Sequence, residues 1–151
     1  MSLSEPVVEP RVVMERHRQA AVDRSVEEMR RLYAHDAVHE FPFTAPGLPS
    51  RLEGRDEIVR WIAAGWQADA FRYELYRVLA TYSTDDPATI VVEQEAIGTS
   101  AITGGFVLPN IVVLTVRDGQ IAHLRDYVDV LAAAAVVGHD LAASRGIEPA
   151  G

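Results

Sequence analysis

From about residue 7 to residue 22 the apolar positions Val13, Ala20 and Ala21, with His17 among them, fall near helical spacing and predict a first helix. Asp23 to Ser25 interrupt it. Ser25-Val26-Glu27-Glu28 then fits a capping box, and Val26, Met29, Leu32 and Tyr33 share one face of a second helix that closes at Ala34-His35-Asp36. The alternation from Val38 to Phe43 predicts a short strand with His39, Phe41 and Phe43 on one face, confined to a sheet edge by Pro42. Thr44 to Ser50, with two prolines and a glycine, is a loop stiff enough to form a fixed wall. Gly54-Arg55-Asp56-Glu57 opens a third helix, in which Ile58, Trp61, Ile62 and Gly65 recur at helical spacing, with Trp61 and Trp66 as its large groups. Four strand-like segments follow, at about 71–82, 89–98, 106–116 and 120–128. Asp85-Asp86-Pro87, Thr103-Gly104-Gly105 and Arg117-Asp118-Gly119 punctuate them as reversals, which makes an antiparallel meander. The Ala-rich stretch from Val130 through Arg145 reads as a closing helix, weakened at Gly138 and stopped at Gly146.

Helices first and a long antiparallel sheet afterwards imply an α+β domain, with a strongly curved sheet wrapped around the helices as a cone with a cavity. Residues 1–6 form a leader, 7–146 a single domain and 147–151 a tail. A chain of 151 residues buries roughly two-thirds of its extended surface in one core.

The formal net charge of -8, from 22 acidic and 14 basic residues, argues against nucleic acid and anionic membranes as partners. No cysteine is present, which excludes thiolate chemistry and disulfides. No apolar run approaches a membrane span, and the first ten residues lack a basic region followed by an apolar one, so a cytoplasmic protein is expected. The five histidines show neither i, i+4 helix spacing nor a clustered motif, and no metal or other cofactor is expected. Neither a phosphate-binding glycine loop nor a nucleophile elbow occurs.

The chemistry concentrates in Gly119 to Asp129. Strand parity puts Leu124, Asp126 and Val128 on one face and His123, Arg125, Tyr127 and Asp129 on the other. A carboxylate between two apolar neighbours must be paired, hydrogen-bonded or shifted in pKa, which makes Asp126 the leading acid–base candidate. Asp129 is placed to cap the final helix. His39 could exchange a proton with substrate or hydrogen-bond Asp126. Asn110, in an otherwise apolar strand and in parity with Leu108, Val112 and Leu114, needs a buried partner, either substrate or Asp126. Tyr33, Phe41, Phe43, Trp61 and Tyr73 join Leu124 and Val128 as candidate pocket walls. Glu93 and Glu95 face outward, as do Ile111, Val113 and Thr115, whose apolar row predicts a homodimer through the outer sheet face.

Several motifs stand in a telling order: Leu32-Tyr33-Ala34-His35-Asp36-Ala37, His39-Glu40-Phe41-Pro42, Leu52-Glu53-Gly54-Arg55-Asp56, Asp118-Gly119-Gln120-Ile121 and Arg125-Asp126-Tyr127. Together, over about Val8 to Gly138, they resemble the SnoaL-like branch of the nuclear transport factor 2-like superfamily, which also holds ketosteroid isomerases and limonene epoxide hydrolases. His39 to Pro49 followed by Glu53 to Ile58 most resembles a subgroup near the phenazine-biosynthesis A/B proteins. The resemblance implies a small dimeric protein whose conical pocket handles hydrophobic metabolites without a cofactor. Phe41 stands where ketosteroid isomerases carry their catalytic aspartate, and His17 and Asn110 fall where they carry oxyanion donors. Asp126 after Arg125 matches the pocket glutamate of the phenazine proteins, whose helix-three histidine falls near Trp61, and it matches the acid–base aspartate of SnoaL-type cyclases.

The expectation is therefore an acid–base isomerase, cyclase or dehydratase of specialised metabolism, of the kind that serves polyketides. Asp126, His39, His17 and Asn110 would act on a hydrophobic carbonyl- or hydroxyl-bearing molecule. The alternatives are a non-catalytic binder and an epoxide-opening enzyme, the latter requiring a second carboxylate and an arginine beside Asp126.

Overall fold

A computed structural model describes residues 9–138. The leader, the tail and the part of the closing helix expected beyond Gly138 lie outside the described residues. Helix α1, Pro10–Asp23, starts with proline at a position whose N–H would be unpaired in any case and stops at Arg24, which takes a left-handed conformation (φ 53°). It buries Val13, Met14, Ala20 and Ala21. Helix α2, Val26–Leu32, is capped by Ser25, whose side chain accepts from the Glu28 amide at 3.1 Å. The box is only half made, because the Glu28 carboxylate turns to Arg16 at 2.6 Å.

The sequence places Tyr33 to Asp36 at the end of that helix. Instead the backbone is already extended at Tyr33, and strand β1 runs over Tyr33–Glu40. Tyr33 pairs with Ile121, so sheet contacts outweigh local helix propensity. The strand also ends sooner than its alternation suggests, since Pro42 cannot donate to a ladder and Phe41 pairs its amide with the Ser50 carbonyl at 3.0 Å. A three-residue strand, β2 (Arg51–Glu53), lies antiparallel to β1 with Leu52 buried. It is too short for a periodicity to reveal.

Helix α3, Arg55–Ala68, opens after Gly54 (φ 89°) and buries Ile58 and Val59. The strands β3 (Phe71–Ser83), β4 (Thr89–Ser100), β5 (Gly104–Arg117) and β6 (Gln120–Val128) form the expected meander. The six strands stand in the order β2-β1-β6-β5-β4-β3. The sheet is mixed, because β1 runs parallel to β6. These two are separated in sequence by a helix and four strands, so no hairpin fixes their relative direction.

Register shifts in β3 between Tyr73 and Leu75 and between Val78 and Ala80 add curvature where the sheet wraps the helices. Gly98 permits that wrap, since a Cβ there would sit 2.0 Å from the Arg72 carbonyl oxygen. The concave face carries Val92, Val112, Leu114, Ile121 and Leu124 against Val13, Met14, Met29, Leu32 and Ile58. Helix α4, Val130–Val136, is capped by Asp129, whose side chain accepts from the Ala132 amide at 3.0 Å. Among the described residues no helix is long and apolar enough to cross a membrane.

Candidate functional site

The helices do not fill the concave side of the sheet. A cavity of about 510 Å³ remains between α1, α3, α4 and the sheet. Residues 45–48 close one side of it, held by a Leu48 to Ala45 hydrogen bond of 3.1 Å, which makes the proline-containing loop a wall. Strand parity on β6 delivers Leu124, Asp126 and Val128 to this space, and β5 delivers Leu108, Asn110 and Val112.

Register then brings two polar groups together. Val112 faces Asp126 and Asn110 faces Val128, and across that diagonal the Asn110 amide Nδ2 donates to Asp126 Oδ1 at 2.9 Å. No lysine or arginine forms an ion pair with Asp126 among the described residues. Burial pushes its carboxyl up to about 6, against the smaller opposing pull of the Asn110 hydrogen bond. Asp126 faces cavity space rather than bulk solvent. Asn110 Oδ1 is buried with no hydrogen-bond partner.

A second polar group lies beside it. His17 Nε2 and His39 Nδ1 each stand 3.0 Å from the Tyr33 hydroxyl. His39 therefore bonds Tyr33 rather than Asp126, as parity on β1 alone allowed. His39 is 4% exposed, and its Nε2 is left unpartnered in a residue that lines the cavity. Burial lowers both imidazoles, His17 to about 4 with help from Arg18, and His39 to about 3 with smaller contributions from His17 and His123. Both are neutral at physiological pH. Burial, then the charge of Asp126, raises the Tyr33 and Tyr73 phenols well above their ordinary value, so each stays protonated.

The aromatic positions divide. Phe41, Trp61 and Tyr73 line the cavity, with Phe41 and Trp61 rings 5.2 Å apart. Tyr33 lies behind the wall, fully buried, and reaches the site only through its hydroxyl. Phe43 is outside altogether: it follows Pro42 beyond the strand, is 57% exposed and packs edge-on against Tyr127 at 5.5 Å. Two residues were missed from sequence. Gln94 lines the cavity and accepts from Arg18 at 3.1 Å, and its position between the outward-facing Glu93 and Glu95 was the signal that it points in. Tyr76 also lines the cavity, and the register shift after Tyr73 hid its parity. No group of three or more histidine, aspartate or glutamate side chains placed to hold a metal occurs among the described residues.

Comparison with known proteins agrees with this architecture. An uncharacterised PhzA/B-like protein of Pseudomonas aeruginosa is 33% identical over 101 residues, 64% of this chain and 67% of that protein. A Bacillus subtilis structure named as a candidate isomerase superposes with a TM-score of 0.79 at 23% identity, covering 87% of this chain and 94% of that one. An epoxide hydrolase of the limonene-hydrolase-like type from Mycobacterium tuberculosis gives a TM-score of 0.62 at 17% identity, over 89% and 93% of the two chains. At these identities the two structures speak for the fold. The SnoaL-like domain family matches residues 14–124, most of the described fold from α1 to the middle of β6, and the chain belongs to that family.

Proposed function

We propose that this protein is an acid–base enzyme acting on an apolar, uncharged small molecule that carries a carbonyl or hydroxyl group, with Asp126 taking and returning the proton. One observation carries this reading: Asp126 sits in a largely apolar cavity with an amide, and among the described residues no cation, as its partner. Such a carboxylate is ionised at neutral pH yet basic enough to accept a proton from carbon or oxygen. Asn110 fixes the orientation of the carboxylate through Oδ1, leaving the other oxygen for substrate. Neutral His17 or His39 supplies a hydrogen bond to an oxygen that gains charge. Among the described residues no arginine or lysine lines the cavity, so the charge a carboxylated substrate would meet from them is the repulsion of Asp126.

Isomerisation, cyclisation and dehydration all begin with this proton transfer. Epoxide opening has less support, because among the described residues neither a second carboxylate nor an arginine lines the cavity beside Asp126. The test is deuterium exchange into enolisable cyclic ketones in heavy water, followed by NMR. Exchange should be catalysed by the wild-type protein and lost in Asp126→Asn. Equal exchange by both proteins, across ketones that bind, would leave a ligand-binding protein as the better account, with Asn110 Oδ1 and His39 Nε2 as its recognition points.

The same reading includes a homodimer through the outer sheet face. Ile111 is 42% exposed there, with exposed Val107 on its own strand and exposed Leu75 and Tyr82 two strands away on β3. Glu93 and the Arg77–Glu95 pair lie between them, so the contact would cover apolar side chains around a polar strip. Sedimentation should give a dimer that Ile111→Glu dissociates, and a wild-type monomer at high micromolar concentration would rule the interface out.

A further inference from the structure

The Tyr33 hydroxyl has one hydrogen and two imidazole nitrogens to satisfy, His17 Nε2 and His39 Nδ1, each at 3.0 Å. With both rings neutral only two arrangements satisfy all three groups. In one, Tyr33 donates to His39 Nδ1 and His17 donates from Nε2, so both rings carry hydrogen on Nε2. In the other, Tyr33 donates to His17 Nε2 and His39 donates from Nδ1, so both rings carry it on Nδ1. The two histidines are thus held in the same tautomer, and because they meet Tyr33 through different nitrogens, the nitrogens left over, His17 Nδ1 and His39 Nε2, are always in opposite states in two residues that line the cavity. When His39 offers an N–H at Nε2, His17 offers a bare Nδ1, and the reverse arrangement exchanges the roles.

We propose that Tyr33 joins His17 and His39 into a charge-neutral proton relay, so that a proton accepted from a bound molecule by one imidazole is released to it by the other. The proposal rests on the acid–base reading of the cavity and adds a second proton path to it. Starting with both rings protonated on Nδ1, a substrate proton moves to His39 Nε2 and the bonding pair it leaves stays on the substrate. His39 Nδ1–H passes its proton to the Tyr33 oxygen, Tyr33 passes its own to His17 Nε2, and His17 Nδ1–H releases its proton to a second substrate atom. Every group gains one proton and gives one up, no charge is left behind, and the substrate leaves as its tautomer. The same path run backwards with water as donor and acceptor resets the rings. The relay suits a molecule whose proton-bearing and proton-accepting atoms are joined by a π system, such as a hydroxy-enone or an enolisable dicarbonyl.

Two features support the assignment. His39 Nε2 is a buried polar atom without a hydrogen-bond partner among the described residues, in a residue that is 4% exposed and lines the cavity, and a ligand seated closely against His39 is the partner the relay requires. Burial also lowers both imidazoles and raises the phenol, so imidazolium and phenolate are both disfavoured and a neutral, coupled transfer is the path left.

The experiment is 15N NMR of the full chain labelled at its histidine rings, with cyclohexanone and indole as probes. Cyclohexanone only accepts a hydrogen bond and should hold His39 in the Nε2–H form. Indole N–H donates to a bare Nε2 and should hold it in the Nδ1–H form. The expected result is that His17 follows His39 with both probes, and that in Tyr33→Phe it no longer follows. Opposite tautomers in the two rings, an imidazolium in either at neutral pH, or a His17 signal indifferent to the probe that moves His39 would overturn the relay. Failure of both probes to move His39 would overturn it too, by showing that its open nitrogen does not meet a ligand. If Tyr33→Phe does not fold, the wild-type probe pair decides alone. Asp126→Asn should leave the tautomer coupling intact whatever its effect on deuterium exchange, so loss of the relay and loss of the Asp126 reading register in different measurements.

Discussion

Strand β6 and its neighbours carry two carboxylate pairs, one on each face of the sheet. Outside, Glu40 meets His123 at 2.5 Å and Arg51 at 3.4 Å, partly exposed to solvent. Inside, Asp126 meets the Asn110 amide alone among the described residues, within the cavity. The chemistry of a carboxylate is set by what surrounds it. Glu40 has the Arg51 guanidinium, the His123 imidazole and water around it. Asp126 has one neutral dipole and apolar walls, which move its proton affinity into the range where catalysis is possible. The outer pair is a surface ion pair of small value, and the inner pair stores a cost that function can use.

The largest effect that would break this contrast is on turnover. Asp126→Asn should lower the catalysed exchange rate by about a thousandfold, within the range for loss of a general base. Activity of the wild-type protein should fall as pH drops through about 6, as the base becomes protonated.

Stability should move the opposite way. The folded-state pKa of Asp126 is raised above that of the unfolded chain, so between about pH 4 and pH 6 the folded form holds more protons, and stability declines as pH rises through that window. The full penalty above it is on the order of 2–3 kcal/mol, less whatever water in the cavity recovers. Asp126→Asn should therefore be more stable than wild type in urea at about pH 8 and nearly equal at about pH 4. A destabilised variant at the higher pH would mean that Asp126 is a structural group like Glu40.

Asn110→Ala removes the only interaction that holds the Asp126 carboxyl down, so the inflection in the pH–rate profile should move above about 6 and activity at neutral pH should fall by about tenfold. An unmoved inflection would detach Asn110 from the base. The smallest effect belongs outside. Glu40→Gln should cost no more than about 1 kcal/mol and leave the pH–rate profile in place.

How much of this was legible in the chain depends on where each signal resides. The meander from Phe71 to Val128 was readable because alternation and turn residues are local, and so was the inward face of Leu124, Asp126 and Val128. Asp129 as a cap was readable for the same reason. Tyr33 was not. Its sequence neighbours form a helix, and only pairing with Ile121, far along the chain, draws it into a strand and behind the cavity wall. Phe43 was misplaced because alternation does not register that Pro42 has already ended the ladder. Tyr76 was missed because register shifts reset the parity of β3.

By itself, then, the sequence determined the three helices before the meander, the meander strands and the inward faces of β5 and β6, since helix and strand periods and turn chemistry act over a few residues. It also determined that a carboxylate would stand on an apolar face. Only the tertiary structure decided that β1 lies parallel to β6, that the helices leave about 510 Å³ open, and that Asn110 rather than an arginine or His39 meets Asp126. The meeting of His17, Tyr33 and His39 through one hydroxyl was decided at the same level, because three side chains from a helix and a strand converge only once the core has packed them.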